Sequence, residues 1–140
     1  GVGLPASCGE RLMEQLGDLF LKAPASGAWT TNNEGRTLGT SEGFVLDIWT
    51  DTVEAAVLFP PDNSRLVRRN TMLCLLLLLV LRPNWADPER WLTEQMRQAN
   101  RFRPTKKQPF YQTENTQEQV RFSWDKIQSR VTLSIPTPRL

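Results

Sequence analysis

The chain has 140 residues, with 17 Lys and Arg against 15 Asp and Glu, two Cys, five Trp and no His. A chain of that length suits one globular unit, buries roughly 68 to 70% of its unfolded surface and needs no disulfide or metal staple. The missing His excludes Ser-His and Cys-His nucleophile pairs, His-ligated zinc and any side chain that titrates near neutrality unperturbed, leaving an enzyme only carboxylates, Lys, Tyr or an unassisted Cys.

Along the chain, Ser7-Cys8-Gly9-Glu10 reads as a capping box. Leu12, Met13, Leu16, Leu19 and Phe20 follow it at helical spacing, so a first helix is expected up to Pro24. Its other side carries Glu10, Glu14 and Asp18, an acidic stripe read as solvated surface rather than as a metal or acid-base site. Residues 25–43 hold four Gly among Ser, Thr and Asn, and read as turns around one or two short strands near Trp29 and Arg36. Phe44 to Trp49 alternates as a strand, and Val53 to Phe59 is preferred as its returning arm over a short capped helix.

Pro60-Pro61-Asp62-Asn63-Ser64 breaks the chain and supplies caps for a helix from about Arg65 to Leu81. Its ten-residue apolar half, Met72 to Leu81, rises about 15 Å against a bilayer core of roughly 30 Å, which predicts a core helix and no membrane span. Asp87-Pro88 opens the next helix, whose apolar side is Trp91, Leu92, Met96 and Ala99 and which closes at Pro104. Residues 104–118, rich in Gln, Thr and Lys, read as a mobile loop. Gln119 to Trp124 and Ser129 to Ile135 read as a hairpin around the turn Asp125-Lys126-Ile127-Gln128. Helix, strands, two helices and a hairpin without internal repeat predict a single α+β domain, an antiparallel sheet packed on one face by about three helices.

No nucleotide-binding glycine template, G-x-S-x-G, H-E-x-x-H, paired C-x-x-C or EF-hand spacing occurs. Cys8, at a helix start, has no base to pair it, and Cys74 sits inside the apolar run as a small hydrophobe. Two Cys and an N-terminus lacking a basic n-region and an apolar h-region read as an intracellular, reducing setting. Five Trp invite an aromatic-cage reading, but they fall in separate elements and read as packing, with Trp85 in Pro83-Asn84-Trp85-Ala86 the one expected to be exposed.

Charge carries the strongest functional signal. Residues 65–107 hold ten basic and three acidic residues, a net of +7, and the remainder of the chain carries −5. Within that block Arg97, Arg101, Arg103, Lys106 and Lys107 are flanked by Phe102, Phe110 and Tyr111. Cations interleaved with rings suit a nucleic-acid strand, an acidic protein partner or the chain's own acidic first helix.

The stretch Phe44 to Thr50, FVLDIWT, resembles a strand of the cap-binding translation-factor fold and also one in HORMA-type adaptor domains. The likeness is confined to that strand and carries no site residue over. The sequence therefore predicts a non-catalytic intracellular interaction or scaffold domain, a subunit of a larger assembly, without cofactor, metal or membrane. Its alternative is single-stranded RNA binding, and the predicted contact residues are Arg97, Arg101, Phe102, Arg103, Lys106, Lys107, Phe110, Tyr111 and Trp85.

Overall fold

The computed structural model describes residues 29–31, 37–49 and 51–137, with side chains described for 42–49 and 51–137. Strands β1 (Trp29–Thr31), β2 (Thr37–Ser41), β3 (Phe44–Ile48) and β4 (Thr52–Leu58) form one antiparallel meander. Helices α1 (Ser64–Leu81) and α2 (Pro88–Arg101) follow, then a second meander of β5 (Tyr111–Asn115), β6 (Val120–Asp125) and β7 (Arg130–Pro136). The two meanders join as one seven-stranded sheet in the order β1-β2-β3-β4-β7-β6-β5, so the last strand returns to the middle and pairs with β4 from Thr52↔Pro136 to Leu58↔Arg130.

Alternation decides which face is covered, because successive strand residues point to opposite sides. Phe44, Leu46 and Ile48 on β3 lie opposite Val57, Ala55 and Val53 on β4, which lie opposite Val131, Leu133 and Ile135 on β7. All nine are fully buried and form one cluster with α1 and α2. The other face carries Glu54, Arg121, Ser123, Thr132 and Ser134 around an open polar hollow. The α+β class therefore stands. The described residues hold two helices rather than about three, and the predicted first helix lies outside them.

The caps read from the sequence form as expected. The Asn63 side chain accepts from the Leu66 amide, Asp87 accepts from that of Arg90, and Pro88 opens α2. On α1, Leu66, Asn70, Leu73, Cys74, Leu77, Leu78 and Leu81 turn inward at helical spacing. The apolar run is thus only partly core: Met72 is 63% exposed and Leu79 45%, because a stripe one side wide is all that a helix lying on a sheet can bury.

Polar side chains fasten α1 towards both of its ends. Asn70, fully buried, donates through Nδ2 to the carbonyls of Leu58 at 2.9 Å and Gly43 at 3.3 Å, and accepts from Arg69 at 3.0 Å. Gly43 has φ +64°, where a side chain is strained, and a Cβ there would also crowd the Asn70 amide at 3.1 Å and Leu58 Cβ at 3.3 Å, so both counts favour glycine. At the other end Arg82 donates to the Glu118 carbonyl at 2.8 Å and the Pro136 carbonyl at 2.7 Å, closing the helix end onto the second meander.

Two expectations are corrected. Residues 104–118 are not one loop, because Tyr111–Asn115 pairs with β6 as the edge strand β5, which leaves only residues 102–110 as the irregular connection. Trp85 is half-buried, its ring 5.4 Å from that of Trp91 and packed against the core.

Candidate partner-docking groove

A hollow of about 650 Å³ opens where the chain before α1, the first turns of α1, the last turns of α2 and the β6–β7 turn meet. Its floor is apolar: Phe59 and Ala99 are buried, and Val67, Met96 and Trp124 are half-buried. Its rim is exposed and carries Arg68 from α1, Arg97 and Asn100 from α2, and Lys126 from the turn. A second hollow, lined by Asn100, Arg101, Arg103, Pro104 and Lys126, shares two of those rim residues. Five basic residues and no carboxylate line the two hollows together.

The rim forms because α2 is amphipathic. Leu92 and Ala99 face the sheet, while Arg97 and Arg101, one turn apart, stay in water. Arg97 shares its charge with Glu94 at 3.0 Å, an exposed pair of the kind that contributes about 0 to 1 kcal/mol and yields readily to a competitor. Lys126 reaches the carbonyl of Phe102 at 3.5 Å, the limit of hydrogen bonding. In the floor, Trp124 Nε1 is shielded from solvent and has no acceptor among the described residues.

The predicted contact residues divide. Arg97, Arg101 and Arg103 come together around the groove and its neighbour, whereas Lys106 and Lys107 stand exposed on the 102–110 connection and line neither hollow. The aromatic members are engaged elsewhere. Trp85, Trp91, Phe122, Tyr111 and Phe102 make a continuous chain of ring contacts, with centroids 5.4, 6.3, 6.1 and 5.8 Å apart, tilted or edge-on. Such geometry is what packed rings adopt, and it fixes α2 on β5 and β6. The Tyr111 hydroxyl donates to Gln95 at 2.8 Å, and burial raises its pKa. Of the predicted contact aromatics only Phe110 is exposed, at 41%.

Sequence reasoning missed Arg68, Lys126, Val67, Phe59 and Trp124 as site residues. They sit on four segments that only the folded topology brings together. Met96 and Ala99 were legible as an apolar side, but not as one partly left open. No group of three or more His, Cys, Asp or Glu placed to hold a metal occurs among the described residues, and none of their helices is long and apolar enough to cross a membrane. Burial pushes the Cys74 thiol up to about 12, so it stays protonated and inert at neutral pH. Comparison with protein-family models, curated proteins and solved structures gives no match.

Proposed function

We propose that this chain is a non-catalytic intracellular protein-interaction domain that receives a segment of a partner in the groove between α1 and α2. The observation that carries the reading is the groove itself, an apolar floor inside a polar, charged rim, which is the anatomy of a protein interface. Arg68 lies one turn before Met72, and Met72, Leu76 and Leu79 continue along that side of α1 as exposed or half-buried apolar surface that a larger partner would cover. Single-stranded RNA suits the site less well, because Phe102 and Tyr111 are held by other rings and offer no stacking platform.

Site-specific photo-crosslinking tests the proposal. A benzophenone side chain at Arg68 should capture one discrete protein from nuclease-treated extract, and the same group at Ser123, on the opposite face of the sheet, should not. Equal capture at both positions, or crosslinks that vanish with nuclease, would overturn it.

A further inference from the structure

Resting on that reading, we infer that the groove takes an acidic polypeptide segment carrying bulky apolar anchors: the anchors enter the floor between α1 and α2, and the carboxylates meet Arg68, Arg97 and Lys126. Charge complementarity carries the inference. The groove and its neighbour present cations from four separate segments, α1, α2, the 102–110 connection and the β6–β7 turn, with no carboxylate among their lining residues. Two other hollows are mixed: Glu54 and Glu114 lie with Arg121 on the open sheet face, and Asp87, Glu89 and Glu94 lie with Arg90 and Arg97 beside α2. A basic partner would meet net repulsion from the groove's rim, and like-charge contacts across an interface discriminate strongly.

The rim cations are also available. Arg68 and Lys126 are exposed and form no salt bridge among the described residues, and Arg97 has only its exposed Glu94. The floor suits bulky apolar side chains, since Val67 and Met96 offer aliphatic and thioether surface beside the Trp124 ring, and Met adapts to irregular partners. Arg101 and Arg103, in the adjoining hollow, extend the cationic track beyond the groove, so acids on one flank of the anchor find partners as well.

The test is fluorescence anisotropy with short labelled peptides and the full chain. The first peptide places Phe and Leu among Glu residues, the second replaces Glu by Lys, and the third keeps Glu but replaces Phe and Leu by Ser. The first should bind and weaken at least about tenfold between about 50 mM and about 500 mM salt. The Lys peptide should not bind, and the Ser peptide should bind at least about tenfold more weakly than the first. Arg68→Glu with Lys126→Glu should weaken the first peptide by about tenfold or more at an unchanged melting temperature, while Glu54→Lys on the far face leaves it unaltered. Binding of the first peptide undiminished by the double substitution would overturn the inference. If the Lys peptide competes for the Arg68 crosslink as well as the Glu peptide does, the acidic preference fails while the docking groove stands. If no peptide binds and an oligouridylate binds in an Arg68-dependent way, both readings fail.

Discussion

Asn70 is the only polar residue of α1 that is fully buried, and it spends its amide on two carbonyls from different strand ends. Removing it strands buried acceptors, which costs more than the bond itself contributes. Asn70→Leu is therefore expected to lower stability by about 1 to 3 kcal/mol in urea titration, with no change in slope. Cys74 gives the protein an alkaline weakness. The folded chain holds that thiol at about 12 against an ordinary 9.0, so above 9.0 the unfolded chain loses a proton that the folded chain keeps. Stability then falls as pH rises, by about 1.4 kcal/mol per unit, until the folded thiol also titrates. Tyr111, raised by its own burial, acts in the same direction at still higher pH. Cys74→Ala should flatten the slope of stability against pH above 9.0, and native Cys74 should resist thiol reagents until the protein unfolds.

The two sides of α1 should answer differently to polar substitution. Leu77→Asp places a carboxylate at a fully buried position and should leave the protein unfolded or insoluble, whereas Met72→Gln, at 63% exposure, should stay within about 0.5 kcal/mol of the parent in thermal melts. A comparable loss at both positions would mean that Met72 is covered in solution. The sequence located α1 through its caps and its apolar run, but ten consecutive apolar residues have no period, so which of them turn inward was not readable within the run. The phase is set by Leu66 and Asn70 before it. Strand β5 was misread for a related reason: Tyr111, Thr113 and Asn115 are only half-buried at the sheet edge, and so polar a face does not announce a strand. The β6–β7 hairpin, with its alternating Val, Phe and Trp against Val, Leu and Ile, was legible nearly to the residue. The groove was not, because pattern along the chain says nothing about proximity between α1, α2 and a turn.

Across the whole molecule, the connection over 102–110 is the most open described segment. Residues 103–110 are all exposed, and Thr105 with Gln108 supplies its local hydrogen bonds. Within residues 51–137 the first tryptic cut is expected after Lys106 or Lys107, since Arg103 precedes a proline. Mass spectrometry of a limited digest would check this, and early cutting inside α2 would contradict the packing of its aromatic chain.

The β4–β7 pairing has a consequence for the order in which the chain acquires its shape. Both meanders are made of neighbours in sequence, but the pairing between them joins residues as distant as Thr52 and Pro136, across both helices and the exposed connection. Local hairpins close quickly, while a pairing of that range waits on the entropy of a long closure, so the two halves of the sheet should form first and meet late. Covalent continuity through 102–110 makes that meeting intramolecular, at an effective concentration on the order of millimolar. A chain severed after Lys106 should accordingly refold at a rate and to an extent that depend on protein concentration, where the intact chain shows no such dependence. The same cut would leave α1, α2 and the first meander on one fragment and Lys126 on the other, so the two-sided rim of the groove would exist only after the halves of the sheet have met.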